Sequence, residues 1–237
     1  MKVAIIGYGK MGREIEKILI DRGHTVVAII DVDNREDIAS EAFASADVAI
    51  EFTTPHTAYQ NLVDSITAGV AVVSGTTGWL EHFEDIKTLC AERNGAFFYA
   101  SNYSLGVNLM FRLNRQLAAM INKVDGYKVE IEEVHHIHKL DAPSGTAITL
   151  AEGVIDELDS KSGWVNDTEP KAEELEIKSK RIGETPGIHT VTYESAEDCL
   201  ELKHTIKSRS ALAMGAVVAA EFLSGKKGVY SMDDLLK

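Results

Sequence analysis

Short apolar runs alternate with amphipathic segments through residues 1–106. The runs consist largely of Val, Ile, Ala and Phe, as in strands that a parallel sheet buries on both faces. The segments between them have apolar residues at helical spacing, for example Ile15, Ile18 and Leu19 within residues 13–21. This alternation predicts a doubly wound parallel sheet. Its expected strands are Lys2–Ile6, Thr25–Ile30, 47–52, 70–74 and Ala96–Tyr99.

The pattern changes near residue 107. Within residues 128–134, Val129 and Ile131 alternate with Glu130 and Glu132, which indicates a sheet with one solvated face. Further strand candidates at 177–181, 189–194 and 199–206 suggest a mixed sheet. Residues 156–174 are polar and acidic, and a surface excursion is expected there. The strongly apolar segment Ser210–Leu223 predicts a helix that packs back on the first sheet.

The first predicted turn, GYGKMG, places glycines at 7, 9 and 12 between a strand and a helix. Gly7 permits the tight turn, Gly9 lets a pyrophosphate approach the backbone, and Gly12 lets the helix pack on the strand. The helix N-terminus then offers free N–H groups to phosphates. Asp31, at the end of the second strand, is placed to bind the adenosine ribose. The whole context predicts dinucleotide binding.

The residues around Asp31 bear on the choice of cofactor. Its carboxylate would repel the 2′-phosphate of NADPH, and Val32 rather than an arginine follows it. Arg35 is close in sequence. The cofactor is therefore NADH or NADPH, with a lean towards NADH.

Three further turns, TTPHT, GTTGW and ASNYS, follow the third, fourth and fifth predicted strands. Each lies at the carboxyl end of a strand, where open α/β sheets bind ligands. Their Gly, Ser, Thr and Asn residues would let a cofactor approach closely. On this pattern alone, they are better interpreted as ordinary connecting loops.

The overall charge limits the possible partners. The chain has 24 Lys and Arg against 37 Asp and Glu, so its formal net charge is 24 − 37 = −13. Such a chain is a poor candidate for binding nucleic acid or anionic membranes. Cys90 and Cys199 form no metal-binding spacing and are expected to be reduced thiols. Because no transmembrane stretch or targeting sequence is visible, a cytoplasmic location is expected.

The segment EEVHHIHKLDAPSGTAITLAEG, at 132–153, has the densest group of chemically active residues. As a strand, it would place His136 and His138 on one face and His135 on the other. A zinc site needs three or four convergent ligands, and Glu132 and Glu133 complete no known spacing, so no metal is predicted. A structural cluster held by hydrogen bonds is a second interpretation.

A pocket for an anionic substrate is a third interpretation. Ser144 is a natural N-cap for a helix predicted over 146–158. Gly145 and Thr146 would then present N–H groups at a positive helix terminus, which suits a carboxylate. The histidines and Lys139 lie just upstream and can supply a proton. Hydride transfer from a nicotinamide requires such a proton at the neighbouring atom.

Several longer motifs resemble those of one family. They are GYGKMG, EFTTP, SGTTGW, ASNYSLGVNLM, EEVHHIHKLDAPSGTA, RIGETPGIHTV, KSRSALAMGAV and LSGKKGVYSMDDLL. On these motifs the chain is similar, nearly end to end, to the dihydrodipicolinate reductase family of lysine biosynthesis. The resemblance implies transfer of hydride from NADH or NADPH to a cyclic, unsaturated imine dicarboxylate. The implied product is tetrahydrodipicolinate, with loss of water from the hydroxylated substrate.

The resemblance also implies a domain organisation. A Rossmann-type dinucleotide-binding domain with a parallel sheet would be formed by residues 1–106 and 212–237. Residues 107–211 would form a smaller α+β domain with a mixed sheet, which binds the substrate and mediates oligomerisation. Members of the family are commonly tetramers, so a homotetramer is expected.

Residue roles follow from the resemblance by matching position. His135 would be the catalytic proton donor and Lys139 its partner in protonation. His136, Gly145 and Thr146 would hold the substrate carboxylates. The implied cofactor contacts include two of the three turns interpreted above as ordinary loops. These contacts are Gly7, Tyr8, Gly9, Lys10, Met11, Gly12, Asp31, Gly75, Thr76, Thr77, Ala100, Ser101, Asn102 and Tyr103.

The chain departs from the family pattern in two places. Val32 stands where some members carry a basic residue, and the segment between Asp31 and Asp47 is shorter than in many members. Both departures bear on the choice between NADH and NADPH. Three other functions stay open: another nicotinamide-dependent dehydrogenase, a non-catalytic dinucleotide-binding regulator, and a zinc hydrolase that uses the histidines.

Overall fold

The computed structural model describes all residues from Met1 to Lys237. The chain divides into two compact units: one consists of Met1–Ser104 with Ser210–Lys237, and the other of Leu105–Arg209. Each unit has its own sheet and its own buried apolar cluster. No helix is long and apolar enough to span a membrane.

Eleven strands and eight α-helices make up the two units. The strands are β1 (Lys2–Ile6), β2 (Thr25–Ile30), β3 (Val48–Glu51), β4 (Ala71–Ser74), β5 (Ala96–Tyr99), β6 (Lys128–His135), β7 (Gly163–Asn166), β8 (Glu174–Arg181), β9 (Ile188–Glu194), β10 (Cys199–Thr205) and β11 (Gly228–Tyr230). The helices are α1 (Lys10–Asp21), α2 (Glu41–Ala44), α3 (Pro55–Thr67), α4 (Phe83–Glu92), α5 (Leu105–Ile121), α6 (Gly145–Ile155), α7 (Ser210–Leu223) and α8 (Met232–Leu235). Two short 3₁₀ segments lie at Val32–Ala39 and Leu80–His82.

The first unit is built on a six-stranded parallel sheet in the order β11-β5-β4-β3-β1-β2. The predicted strands β1 to β5 are confirmed to within one residue at each end. Consecutive apolar residues explain them, because both faces are covered and Val3 to Ile6 are almost completely buried. Strand β11 was not predicted, since three residues carry too little pattern. The sheet order reverses direction between β1 and β3, where ligands of open α/β sheets bind.

Helices cover this sheet. The helix predicted from residue 13 begins at Lys10, because Gly9 is its N-cap. The predicted apolar helix α7 is confirmed, and it contacts α1, β3, β4 and β5. Its small residues allow a close approach: a Cβ on Gly215 would lie 1.7 Å from the carbonyl oxygen of Tyr103.

The second unit has a five-stranded mixed sheet in the order β10-β9-β6-β8-β7. Strand β6 runs antiparallel to β9 and parallel to β8. The alternation predicted for β6 is confirmed, since Val129 and Ile131 are buried while Glu130 and Glu132 are partly exposed. Helix α6 packs on this sheet, and α5 contacts α6 and β10. The mixed sheet follows the expectation for this half of the chain.

Two local predictions in this unit were wrong. Strand β6 ends at His135, so His136 and His138 do not share a strand face. A turn replaces the strand there, closed by the N–H of Ile137 on the oxygen of Gly183 at 3.1 Å. Residues 156–174 are not only a surface excursion, because they contain β7. This edge strand takes its hydrogen bonds from β8, and Trp164 packs against the core.

Candidate functional site

The glycine loop after β1 has backbone contacts that admit no side chain at two positions. Gly7 has a φ of +92°, and a Cβ on it would lie 2.1 Å from the carbonyl oxygen of Phe52. A Cβ on Gly12 would lie 2.2 Å from the carbonyl oxygen of Gly7. Gly9 differs, because no atom lies within 4 Å of its Cβ position. The loop therefore packs tightly on its inner side and leaves open space over Gly9 for a phosphate.

Helix α1 begins directly after this open space. Gly9 makes no side-chain cap, so the first N–H groups of α1 keep their donor capacity for a ligand. A cleft of about 250 Å³ is lined by the glycine loop, by Asp31 after β2, and by Thr53 and Thr54 after β3. It lies where the sheet order reverses. These residues fit the pyrophosphate and ribose of a nicotinamide dinucleotide.

The charged residues of this cleft are arranged asymmetrically. The exposed carboxylate of Asp31 accepts a hydrogen bond from the N–H of Val32 at 3.0 Å. Arg35 also lines the cleft, but its guanidinium binds Asp64 of α3 at 2.5 Å. Gln60 donates to the other oxygen of Asp64 at 2.8 Å. The arginine of the cleft is therefore already paired with a carboxylate.

Glu51, at the end of β3, is a fully buried carboxylate that the sequence analysis missed. It accepts hydrogen bonds from the hydroxyls of Ser74 at 2.6 Å and Thr76 at 2.8 Å, and from both the N–H and the hydroxyl of Thr53. Burial raises the pKa of Glu51, and these donors oppose the rise. One side chain thus ties the turn after β3 to the turn after β4. The available signal was a single acid in the otherwise apolar run DVAIEF.

The other predicted cofactor residues fall into two groups. Thr77 and Ser101 are exposed and Asn102 is half-buried, so their side chains are accessible. Thr76 and Tyr103 are buried, and the Tyr103 hydroxyl donates to the oxygen of Ser74 at 2.7 Å. Burial raises the pKa of Tyr103 well above its usual range. Contacts from the buried group to a cofactor would therefore come through the backbone. In the glycine loop, Tyr8 binds Glu16 and lies 4.6 Å from the guanidinium of Arg13, while Lys10 is exposed.

The second unit places His135 at the end of β6, beside a buried carboxylate. Nδ1 of His135 lies 2.9 Å from Oε2 of Glu133, although the ring N–H and this oxygen are not aligned as a hydrogen bond. Oε1 of Glu133 accepts from the N–H of Ser144 at 3.1 Å, the hydroxyl of Ser179 at 2.8 Å and the guanidinium of Arg181 at 3.0 Å. Burial raises the pKa of Glu133, but His135 and these donors outweigh it, so the pKa lies well below its usual range.

His189 of β9 completes this buried group. Its Nε2 lies 3.1 Å from the hydroxyl of Ser144, and its ring packs edge-on against the ring of His135. Burial and the neighbouring His135 lower the pKa of His189 to about 4. His189 is therefore neutral at pH 7. Sequence reasoning assigned no role to Glu133, Arg181 or His189, because they come from three different strands.

The N-cap prediction for Ser144 is confirmed. Its hydroxyl accepts from the N–H of Ala147 at 3.3 Å, and α6 begins at Gly145. Gly145 is exposed, and no atom lies within 4 Å of its Cβ position. The first turn of α6 is thus accessible from solvent.

Two residues of the HHIHK segment, Lys139 and His138, have acidic partners. The Lys139 ammonium donates to both carboxylate oxygens of Asp141, at 2.7 and 2.8 Å. This hydrogen bond lowers the pKa of Asp141. His138 pairs with Glu184 at 3.2 Å. His136 is half-buried, and its Nδ1 has no hydrogen-bond partner within the protein.

One group of side chains has the composition of a metal site. The ligand atoms of Glu133, His135 and His189 lie within 4.8 Å of one another. The Arg181 guanidinium and two neutral donors already bind Glu133, so a cation would enter beside an existing cation. His135 and Glu133 belong to the segment considered from the sequence, whereas His189 comes from β9. That the protein has no metal remains a prediction.

Comparison with known proteins covers both units. Residues 1–103 match the family model "Dihydrodipicolinate reductase, N-terminus", and residues 106–236 match "Dihydrodipicolinate reductase, C-terminus". A 4-hydroxy-tetrahydrodipicolinate reductase of Christiangramia forsetii is 46% identical over 236 residues, which is 100% of this chain and 98% of the relative. The Methanopyrus kandleri enzyme of that name is 38% identical over 95% of this chain and 82% of its own length. The structure of dipicolinate-bound dihydrodipicolinate reductase from Paenisporosarcina sp. TG-14 has a TM-score of 0.82 at 25% identity, covering 99% and 98% of the two chains.

The dinucleotide cleft and the names of the relatives identify the chain as a nicotinamide-dependent oxidoreductase. The chain belongs to the dihydrodipicolinate reductase family. The match extends through both units, which favours this family over another dehydrogenase, a non-catalytic regulator or a zinc hydrolase.

Proposed function

We propose that this chain is a 4-hydroxy-tetrahydrodipicolinate reductase of lysine (diaminopimelate) biosynthesis that uses NADH or NADPH. One hydride and one proton add to the cyclic imine dicarboxylate, water is lost from its hydroxylated form, and tetrahydrodipicolinate results. When bound, the reduced nicotinamide supplies the hydride. The observation that carries the proposal is the placement of a histidine, a lysine and an open helix N-terminus along residues 135–146, in a chain whose relatives bear this name.

His135 is the proton donor in this proposal, and Lys139 is its partner. The Nδ1 atom of His135 faces Glu133, which leaves Nε2 as the atom that can deliver a proton. The Lys139 side chain is about one-fifth exposed at 20% and lies four residues further on, in the turn that leads to α6. General acids placed in this way contribute roughly 10²- to 10⁴-fold to a rate.

The first turn of α6 and His136 hold the substrate carboxylates. The N–H groups at Gly145 and Thr146 lie at the positive end of the helix, and the space at Gly145 is open. His136 is half-buried, so part of its ring is exposed to a ligand, while its Nδ1 is buried without a hydrogen-bond partner. Two carboxylates therefore have separate binding groups. The dipicolinate bound to the Paenisporosarcina relative has this same dicarboxylate character.

The dinucleotide binds to the domain formed by residues 1–106 and 212–237, and NADH is the preferred form. Its contacts are those predicted in the glycine loop, at Asp31, and in the turns at 75–77 and 100–103. The preference is supported by the carboxylate of Asp31 and by the engagement of Arg35 with Asp64. The 2′-phosphate of NADPH would be repelled by the Asp31 carboxylate and would have to compete with Asp64 for the Arg35 guanidinium.

The assembly proposed for residues 107–211 is a homotetramer. Leu109, Leu113 and Met120 are exposed on one face of α5, and they are apolar. The edge strand β10 is largely exposed as well. Such features are usually covered by a partner.

Cys90 and Cys199 are both free thiols, which fits the proposed cytoplasmic location.

The experiment is NADH oxidation with substrate generated in situ from pyruvate and aspartate semialdehyde by the preceding synthase, with NADPH in parallel. We expect His135→Ala and Lys139→Ala each to lower kcat on the order of a hundredfold while NADH binding is kept. His138→Ala is the control, because His138 is exposed and pairs with Glu184 on the surface. Absence of turnover in wild-type protein that binds NADH would contradict the proposed function.

A further inference from the structure

We propose that Glu133 is a positioning residue that holds the His135 imidazole and the first turn of α6 in a fixed mutual geometry. The inference rests on the proposed function, because it assigns Glu133 to the same proton-transfer site. It concerns a side chain that does not line the cofactor cleft and that contacts α6 only through the N–H of its N-cap residue, Ser144. Glu133 would act through His135 and through Ser144.

The two oxygens of the Glu133 carboxylate have different tasks. Oε1 accepts from the N–H of Ser144, at the N-cap of α6, and from Ser179 and Arg181 of β8. Oε2 is left facing Nδ1 of His135 at 2.9 Å. One rigid group therefore connects the end of β6, the end of β8 and the start of α6. A shift of either the histidine or the helix terminus would disturb contacts to the other.

Arg181 extends the connection to the lysine turn. The same guanidinium nitrogen that binds Glu133 at 3.0 Å also donates to the carbonyl oxygen of Asp141 at 2.7 Å. Asp141 in turn holds the Lys139 ammonium. The positive charge of Arg181 offsets the negative charge of Glu133, whose burial without a partner would be costly. The pair of Glu133 and Arg181 thus connects His135, Lys139 and the first turn of α6.

The chemical consequence concerns which nitrogen of His135 carries the proton. A carboxylate next to Nδ1 favours a proton on that nitrogen, so Nε2 is the atom that exchanges a proton with substrate. The N–H of His135 and Oε2 are not aligned in this structure. Catalytic hydrogen bonds are often poorly aligned without ligand and tighten in the complex. If Glu133 only stabilised the fold, it would not influence which nitrogen of His135 carries the proton. A positioning carboxylate does influence it.

The tautomer can be measured without any activity. Imidazole ¹⁵N chemical shifts of the wild-type protein at pH 8 are expected to show His135 protonated at Nδ1. The opposite tautomer in wild-type protein would overturn the proposal, whether or not any variant folds. Because this readout needs no substrate, it separates failure of this inference from failure of the proposed function.

The kinetic test compares Glu133→Gln with Glu133→Asp and Glu132→Gln in the coupled assay. We expect Glu133→Gln to lower kcat by about 10- to 100-fold, with NADH affinity unchanged and the alkaline limb of the kcat profile shifted to lower pH by about one unit. Glu133→Asp keeps the charge and is expected to recover at least part of the rate. Glu132→Gln is the matched control, since Glu132 pairs with Lys180 on the exposed side of β6. Equal rates and pH profiles in Glu133→Gln and Glu132→Gln would overturn the proposal.

Discussion

We predict that the buried histidine at position 189 makes the stability of the second unit depend on pH. Its Nε2 meets the Ser144 hydroxyl at 3.1 Å, and His135, Glu133 and Lys139 are the charged or titratable groups that influence it besides His204. We consider the substitution His189→Gln. A glutamine amide can keep a hydrogen bond to Ser144 but has no proton to gain between pH 7 and pH 5.

The magnitude follows from the pKa of His189, which burial and His135 lower from 6.5 to about 4. Because the folded state holds this proton less tightly than the unfolded state, the unfolded state binds more protons between these two values. The stability contribution is therefore fully present above pH 6.5 and is lost as the pH falls towards 4. Between pH 7 and pH 5 the loss amounts to about 2 kcal/mol for this residue alone.

The assay is urea unfolding at pH 7 and pH 5, followed by the fluorescence of Trp164, which is half-buried and packs against the core of the second unit. The other tryptophan, Trp79, belongs to the first unit and is replaced by Phe in both proteins, so that one reporter remains. Between pH 7 and pH 5, we expect the free energy of unfolding to fall by about 2 kcal/mol less in the His189→Gln protein than in the parent.

The control is His138→Gln, because His138 is a histidine of the same unit with a side chain 68% exposed. It is expected to leave the pH difference as in the parent. If the parent and His189→Gln proteins lose the same free energy between pH 7 and pH 5, within about 0.5 kcal/mol, the assignment of a buried neutral histidine is refuted.

Three other predictions concern the cofactor cleft and the assembly. Asp64→Asn should free Arg35 from an exposed ion pair worth about 0.2–1 kcal/mol. Fluorescence titrations should then show the ratio of the NADPH Kd to the NADH Kd lowered by up to about fivefold. An unchanged ratio would show that Arg35 takes no part in cofactor selection. Gly12→Ala should destabilise the first unit by about 1–3 kcal/mol and weaken NADH binding, because its Cβ would lie 2.2 Å from the oxygen of Gly7. Gly163→Ala in β7 is the control, because no atom lies near its Cβ position and its backbone is not in the left-handed region. Leu113→Glu should reduce the mass measured by light scattering, since a charge would enter the exposed apolar face of α5; an unchanged tetramer would place the interface elsewhere.

Elements with a local cause could be predicted from the order of amino acids. Strands β1 to β5 are consecutive apolar runs, and such a run indicates a buried strand whatever its position in the sheet. The glycine loop is equally local in one respect, because Gly12 meets the backbone of Gly7 within the same strand-turn-helix unit. The N-cap at Ser144 depends on three residues of its own turn. Each of these features is specified within a few residues.

Features that join distant parts of the chain needed the folded structure. Glu133, Arg181 and His189 are ordinary strand residues by pattern, and only the pairing of β6 with β8 and β9 brings them around one carboxylate. Glu51 likewise gains its donors from the turn after the neighbouring strand. The end of β6 at His135 is set by Ile182 and Gly183, just after β8, and the edge strand β7 is set by its pairing with β8. Which groups are buried together is a property of tertiary packing, and burial is what shifts the pKa values of Glu51, Glu133 and His189.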